Sequence, residues 1–210
     1  MKKNTFLYVL RLALTLLAIT AVMAAALAGV NRITKEKIRA NTQEKRDLAV
    51  KAVLPDAPYI LDDIDHAEYR LKKEFPEDIV GAYRAMTAPL SCLIEKCGHP
   101  TGQVALEVVV SGFDGEITMM VGIDKGGEVL GISIISHTET AGLGAVAAAE
   151  NARGQAFRDQ FIGTSGQVAV TKDGGEIDAI TGATVTSRAV TEGVNRALEF
   201  YAYLHEQGIW

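Results

Sequence analysis

An uncharged apolar run near the N-terminus constrains this chain more than any other feature of its sequence. Nineteen consecutive residues, Leu12–Val30, carry no charged side chain and consist mostly of Leu, Ala, Ile and Val. About 20 helical residues cross the hydrocarbon core of a bilayer at a rise of about 1.5 Å each. The run therefore predicts a transmembrane anchor. The alternative is a secretory signal peptide cleaved before Gly29, although the apolar core of such a peptide is normally shorter, about 7–15 residues.

Charge is distributed unevenly along the 210 residues. Residues 1–53 hold ten of the 21 Lys and Arg side chains and three of the 26 acids, which leaves 11 bases and 23 acids for residues 54–210. The acidic body argues against nucleic acid as a partner, because proteins bind nucleic acid through basic surfaces. A basic stretch directly after an apolar one suits the surface of a lipid bilayer.

These patterns divide the chain into three segments. A cytoplasmic N-terminus and the transmembrane anchor occupy residues 1–31, and a basic helical stalk follows over residues 32–58. Pro55 ends the stalk helix, because proline disfavours helical backbone in the residue before it. Residues 59–210 form one domain. Whether the apolar run is an anchor or a signal peptide, the stalk and the domain are expected on the outer side of the membrane.

Within the domain, β-branched segments separated by glycine-containing turns predict consecutive antiparallel strands. Apolar residues at helical spacing predict helices after the strands and at the end of the chain. The expected fold class is therefore α+β, with an antiparallel sheet flanked by helices. The predicted elements are a helix at Asp62–Phe75, strands at Gln103–Val110, Glu116–Ile123 and Glu128–Ser136, a helix at Ala145–Phe161, short strands at Gln167–Thr171 and Glu176–Ile180, and a helix at Thr184–Leu204.

Hydroxyl side chains crowd the junction between the last predicted strand and the last helix. Thr181, Thr184, Thr186 and Ser187 fall within seven positions, and Gly182 allows the chain to turn between them. The first N–H groups of a helix are unpaired and lie at the positive end of its dipole, so a phosphate can bind there. Taken alone, the pattern is more typical of a simple helix N-cap at Thr181.

Three stretches of the sequence resemble a known family. Asp178–Thr184 is similar to the flavinylation motif Asp-x-x-(Ser/Thr)-Gly-Ala-Thr of the FMN-binding domains in membrane redox complexes. His137–Gly144 and the glycine-rich Ser111–Ile117 also resemble the family, although relatives usually have proline in place of Ala141. The chain thus resembles the family of G subunits of Rnf complexes, which are ion-translocating ferredoxin:NAD+ oxidoreductases. Two alternative identities stay open. One is the related C subunit of sodium-pumping NADH:quinone reductases, and the other is an exported module that binds a ligand non-covalently.

The resemblance implies a covalent cofactor. In the family, a flavin transferase attaches FMN to the last threonine of the motif through a phosphoester bond, and the matching residue here is Thr184. Asp178 is expected to be recognised by the transferase or to hold the turn. The resemblance further implies a membrane-anchored electron-transfer flavoprotein that relays electrons as one subunit of a translocase-type oxidoreductase, with no catalytic residue of its own.

The same resemblance implies partners and a location. The partners would be other membrane subunits of the Rnf complex, especially the D, A and E subunits, together with the lipid bilayer and, during maturation, the flavin transferase. The chain would span the bacterial or archaeal inner membrane once, with the FMN domain on the outer side.

The residues expected to contact FMN lie in and around the same motifs. Gly142 and Gly144 would allow a flat ring to approach the backbone, Leu143 would pack on the ring, and Lys172 would be either a counter-ion of the phosphate or an ordinary exposed lysine. The full set is Thr138, Glu139, Thr140, Gly142, Leu143, Gly144, Lys172, Thr181, Gly182, Ala183, Val185 and Thr186. No metal site is expected, and the two cysteines, Cys92 and Cys97, are expected either as a short-loop disulfide or as two thiols.

Overall fold

The computed structural model describes residues 2–55, 57, 59–62, 78–86 and 100–206. The chain divides into two compact units, Met1–Glu44 and Lys45–Trp210. Helix α1 runs over Lys2–Val53, and from Leu10 onward it is long and apolar enough to cross a membrane. The apolar side chains of the predicted anchor are exposed, as expected for side chains that face lipid. The predicted stalk helix is thus a continuation of the membrane helix and ends at Val53, just before Pro55.

The second unit is built on a five-stranded antiparallel sheet in which each strand pairs with the next along the chain. Turns that contain glycine connect the last three strands, so these strands form two successive hairpins. The strands are β1 at Tyr59–Asp62, β2 at Ile79–Met86, β3 at Pro100–Ser111, β4 at Glu116–Ile123 and β5 at Val129–His137.

Two α-helices and two short 3₁₀ turns follow the sheet. The first 3₁₀ turn covers Gly144–Ala148, and helix α2 follows at Ala152–Asp159. The second 3₁₀ turn covers Thr171–Asp173, and the long helix α3 runs over Thr184–Glu206. Helix α3 contacts the central strands β3 and β4, so its first turn is fixed at one edge of the core.

Both faces of the sheet are covered, because successive side chains of a strand point to opposite faces. Leu106 and Val108 of β3 pack in the same cluster as the apolar side chains of α3. Ala105 belongs to a second cluster on the opposite face, which is covered by the last residues of α1. Glu107 is also on that face, is 1% exposed, and forms an ion pair of 2.9 Å with Arg46.

The predicted fold class is confirmed, and the three consecutive predicted strands correspond to β3, β4 and β5. The final helix begins at Thr184, as predicted, and α1 ends where the proline was expected to end it. Alternation of β-branched residues and glycine-containing turns is a strong local signal, which explains this agreement. The predicted segment boundaries at 31/32 and 58/59 stay predictions.

The prediction of one helix over Ala145–Phe161 is wrong, because non-helical residues separate the first 3₁₀ turn from α2. Asn151 caps α2: its Oδ1 accepts hydrogen bonds from the backbone N–H groups of Arg153 at 3.1 Å and of Gly154 at 3.0 Å. A Cβ at Gly154 would overlap backbone carbonyl oxygens of the preceding turn. Asparagine is a preferred N-cap residue, so a new helix starts here.

The two predicted short strands, Gln167–Thr171 and Glu176–Ile180, are wrong as regular strands. One parallel bridge joins Val170 and Ile177, and the second 3₁₀ turn lies between them. The Asp-Gly-Gly segment turns tightly. A Cβ on its second glycine would overlap the backbone of the residues that lead into the second 3₁₀ turn.

Some predictions fall outside the described residues. Asp62, the first residue of the predicted helix Asp62–Phe75, is instead the last residue of β1, and the rest of that segment lies outside them. Cys92 and Cys97 also lie outside them. The sequence did not predict β1 and β2.

Candidate functional site

One cleft of about 340 Å³ brings together most of the residues that the sequence singled out. It lies where the β3–β4 turn, the loop after β5, the second 3₁₀ turn and the start of α3 meet. The lining residues are Phe113, Glu139, Thr140, Leu143, Gly144, Lys172, Gly182, Ala183, Thr184, Val185 and Thr186. A larger cavity of about 600 Å³ lies near the other end of α3, but none of the predicted site residues lines it.

The cleft has apolar walls that are open to solvent. Phe113 is 69% exposed, Val185 47% and Leu143 44%. Within residues 100–206, these three and Ile162 are the exposed large apolar side chains, so three of the four line this cleft. A group of exposed apolar side chains around a concave site marks a binding surface. Phe113 was not among the predicted contacts, although its Gly-Phe-Asp-Gly turn is part of the family pattern.

A lysine lies directly beside the hydroxyl of Thr184. The Nζ atom of Lys172 donates a hydrogen bond of 2.9 Å to Thr184 Oγ1. Thr184 is the first residue of α3, so its hydroxyl lies at the end of the helix where the N–H groups are unpaired. An ammonium group and a helix N-terminus both stabilise an anion at this position.

The turn that carries Lys172 is tied to α3 by a second contact. Arg188, one helical turn after Thr184, forms a two-pronged ion pair with Asp173, with both N–O distances at 2.6 Å. The guanidinium of Arg188 lowers the pKa of the Asp173 carboxyl, and the carboxylate raises the pKa of Arg188 in return. Both groups face solvent, so the pair contributes more to the placement of the turn than to stability.

Glu139 is buried beneath the cleft. Its side chain is 7% exposed, and its Oε1 accepts hydrogen bonds from the backbone N–H groups of Phe113 at 2.7 Å and of Asp114 at 3.2 Å. Its Oε2 accepts a hydrogen bond of 2.5 Å from the hydroxyl of Thr186. Both carboxylate oxygens therefore already have partners within the protein.

The four hydroxyls around the start of α3 have different surroundings. Ser187 is buried, accepts a hydrogen bond from the N–H of Ile180 at 2.9 Å and donates to the carbonyl of the residue four positions earlier. Thr186 is 1% exposed and donates to the buried glutamate. Thr181 is exposed but lines a separate cavity of about 250 Å³. Thr184 is partly exposed and lines the cleft.

Three further predicted residues, Thr138, Gly142 and Asp178, do not line the cleft, and Asp178 lines the same separate cavity as Thr181. Thr138 donates a hydrogen bond of 2.7 Å to the carbonyl of Asp114 and so holds the β3–β4 turn. Gly142 has a φ of 76°, in the left-handed region that favours glycine. Asp178 has an exposed side chain, and the side chain of Gln160 holds its backbone through hydrogen bonds of 2.7 and 3.3 Å.

The cleft fits the chemistry of FMN. Its apolar walls suit a flat heteroaromatic ring, and the lysine and helix N-terminus suit a phosphate group. Among the residues that the structure describes, no group of three or more His, Cys, Asp or Glu side chains is arranged to hold a metal ion.

Comparison with known proteins gives the family. An FMN-binding domain matches residues 112–199, and the RnfG N-terminal region matches residues 1–53. The G subunit of the Na(+)-translocating ferredoxin:NAD(+) oxidoreductase complex of Acetobacterium woodii is 33% identical over 207 residues, which cover 93% of each chain. The chain belongs to the RnfG family. This assignment confirms the resemblance that the three motifs indicated.

Further relatives are similar over comparable lengths. The G subunit of the ion-translocating oxidoreductase complex of Stutzerimonas stutzeri is 31% identical over 90% of this chain and 79% of its own length. The protein of the same name from Aliivibrio fischeri is 32% identical over 91% of this chain and 90% of its own length. A crystal structure of the C subunit of the Na(+)-translocating NADH-quinone reductase from Parabacteroides distasonis covers 80% of this chain and 94% of its own, with 17% identity and a TM-score of 0.47.

The family confirms the coarser functional predictions. The FMN-binding domain matches residues 112–199, a range that contains every residue lining the cleft, and FMN is the cofactor of that domain family. The relatives are subunits of an oxidoreductase complex, which confirms the prediction that the chain works as part of a complex rather than as a complete enzyme. The RnfG N-terminal match coincides with α1 and agrees with a chain that spans the membrane once.

Proposed function

We propose that this chain is a membrane-anchored electron-transfer flavoprotein that carries FMN on Thr184 through a phosphoester bond. It relays electrons within an ion-translocating ferredoxin:NAD+ oxidoreductase of the Rnf type. The observation that carries the proposal is the hydrogen bond of 2.9 Å between Lys172 and the Thr184 hydroxyl, at the mouth of an apolar cleft.

The surroundings of the hydroxyls support Thr184 as the attachment site. Thr186 and Ser187 are buried and engaged in hydrogen bonds that hold the fold, so neither is accessible to a transferase. Thr181 lines a different cavity. Thr184 combines accessibility, a position in the apolar cleft and a neighbouring cation.

The residues around Thr184 suit both halves of the cofactor. Lys172 and the first N–H groups of α3 stabilise the negative charge of the phosphoester. Phe113, Leu143 and Val185 line the cleft with exposed apolar side chains, which would cover the ring and exclude part of the surrounding water. FMN, when bound, supplies electron storage and transfer, while the protein supplies binding and orientation.

The proposal includes the orientation and the partners of the chain. The N-terminus lies in the cytoplasm, and residues 32–210 lie on the outer side of the inner membrane, where a covalent bond keeps the cofactor from diffusing away. The relay brings the domain next to other membrane subunits of the complex, with the D, A and E subunits as the expected neighbours. Asp178, whose side chain is exposed, is available to the flavin transferase during maturation.

A denaturing gel tests the covalent bond. The full chain is produced with and without a flavin transferase, and the gel is viewed under ultraviolet light before staining. Wild type made with the transferase should fluoresce at the mass of the chain, and Thr184→Ala should not. Ser165→Ala is the matched control, because it removes an exposed hydroxyl outside both the cleft and the motif, and it should remain fluorescent. If the wild-type band does not fluoresce although the transferase is active, the result would contradict covalent attachment and favour a module that binds its ligand non-covalently.

A further inference from the structure

Glu139 connects the two sides of the FMN cleft. Its Oε1 atom binds the backbone of the β3–β4 turn, which carries Phe113, and its Oε2 atom binds Thr186 in the first turn of α3. Phe113 provides an apolar wall, and Thr186 lies two residues after Thr184. One side chain therefore links the apolar wall at Phe113 to the helical turn that begins with Thr184.

Two glycines leave room for this carboxylate. A Cβ on Gly112 would overlap Glu139 Oε1, and a Cβ on Gly144 would overlap Glu139 Oε2. Neither glycine has a left-handed φ, so their backbone conformation does not require glycine. The glutamate therefore occupies space that a side chain at either position would need. The expectation that Gly144 also makes room for the ring stays a prediction.

Burial makes these hydrogen bonds necessary. A carboxylate removed from water is costly unless donors surround it, and here two backbone N–H groups and one hydroxyl do so. Thr138 adds a further bond to the same turn through the carbonyl of Asp114, at 2.7 Å. The turn and the helix are thus linked through the buried Glu139, and the exposed Thr138 adds a second bond to the turn.

We propose that Glu139 is a positioning residue of the flavin site. It acts through Phe113 and Thr186 rather than on the ring itself, and it holds a flavin attached at Thr184 in one orientation against the apolar wall. This inference rests on the proposed function, but it also makes a statement about the protein alone: the β3–β4 turn is ordered by the carboxylate.

The test uses the full chain in detergent, made without the transferase for one measurement and with it for the other. Three variants are compared with wild type: Glu139→Ala, Glu139→Gln and, as the matched control, Glu116→Ala, which removes an exposed acid from the same hairpin. Glu139→Gln should keep the turn and the helix joined, because its oxygen can accept from the turn while its NH₂ group donates to the Thr186 hydroxyl, which can reverse its role.

The first readout is amide hydrogen exchange of the β3–β4 turn in the flavin-free chain, measured by mass spectrometry. Loss of a hydrogen bond to a charged group should speed exchange at Phe113 about 10- to 100-fold in Glu139→Ala, since such bonds are among the stronger ones in proteins. Glu116→Ala should exchange at the wild-type rate, and Glu139→Gln, whose neutral amide oxygen accepts a weaker hydrogen bond, should exchange faster than wild type but more slowly than Glu139→Ala. Unchanged exchange in a folded Glu139→Ala would overturn the proposal.

The second readout is the visible circular dichroism and the midpoint potential of the flavin in the labelled chain. Glu139→Ala should change both while peptide mass still places the flavin on Thr184, and identical signals in wild type and Glu139→Ala would overturn the proposal. If far-ultraviolet circular dichroism shows that Glu139→Ala does not fold, Thr186→Val and Thr186→Ser replace it. The proposal then requires that Val changes the flavin signals and that Ser does not. Absence of flavin from wild type would refute the proposed function, whereas the exchange experiment would still test Glu139.

Discussion

The last residues of α1, together with Leu54 directly after it, should be needed for the stability of the FMN domain, although they belong to the segment that the sequence marked as a stalk. Ala49, Val50, Val53 and Leu54 are each at most 3% exposed and pack against one face of the sheet. Full burial of a Val or Leu side chain contributes about 1.5–3 kcal/mol, so the three larger ones together contribute about 5–9 kcal/mol. This is an upper value, because the unfolded chain already buries part of that surface.

The expected result follows from a comparison with total stability. A domain is typically stable by about 5–15 kcal/mol. A chain that begins at Lys45, where the compact unit begins, should therefore fold, whereas a chain that begins at Pro55 should be largely unfolded or aggregated. The second chain also loses Arg46, which leaves the buried Glu107 without its ion-pair partner.

Two leucines in the same segment provide a matched pair of substitutions. Leu54 is 2% exposed and Leu48 is 60% exposed. In the chain that begins at Lys45, Leu54→Ala should lower the free energy of unfolding by about 2–5 kcal/mol. Leu48→Ala should change it by less than about 0.5 kcal/mol. Urea unfolding followed by circular dichroism measures both. Equal changes for the two variants, or a stable chain that begins at Pro55, would refute this account of the packing.

Three further predictions concern the site. Lys172→Gln should slow flavin attachment in a timed transferase assay, and Lys172→Arg should restore part of the rate because it keeps the charge. Equal rates in wild type and Lys172→Gln would show that the lysine does not act in flavin attachment. In Arg188→Gln, the pKa of the Asp173 carboxyl, measured by NMR titration, should rise toward its ordinary value of 3.8. Because folding lowers the pKa of Asp173, the ion pair stabilises the folded state at a pH above the ordinary value of 3.8. That stabilisation is lost as the pH falls through the lower pKa of the folded state. Phe113→Ala should increase quenching of flavin fluorescence by iodide without reducing the labelled fraction, and unchanged quenching would mean that Phe113 does not cover the ring.

The sequence predicted local features better than long-range ones. Strands β3, β4 and β5 form successive hairpins, so their alternating residues and glycine-containing turns were sufficient. Strands β1 and β2 are more separated along the chain, and their pairing depends on tertiary contacts that no local pattern reports. The end of α1 was recognised as helical, but its few apolar residues did not show that they cover a sheet.

The same distinction holds for the site. The family resemblance of the Asp178–Thr184 motif predicted Thr184 as the attachment site, because the hydroxyl-rich helix start taken alone is more typical of a simple N-cap. The motif did not show that the hydroxyl of Thr186 is buried or that Phe113 forms a wall of the cleft. Nor did it show that Glu139 accepts a hydrogen bond from the backbone of a turn 26 positions earlier. Those facts depend on how β3, β5 and α3 meet.

The central claim is that Thr184 carries FMN, and the mass of one peptide tests it most directly. The full chain is produced with an active flavin transferase and digested with trypsin, which releases the peptide that ends at Arg188. Fragmentation should place an added mass, equal to FMN less one water, on Thr184 of the wild-type peptide. Thr184→Ala should give the unmodified mass. An unmodified wild-type peptide, or an added mass on Thr181, Thr186 or Ser187, would contradict the account.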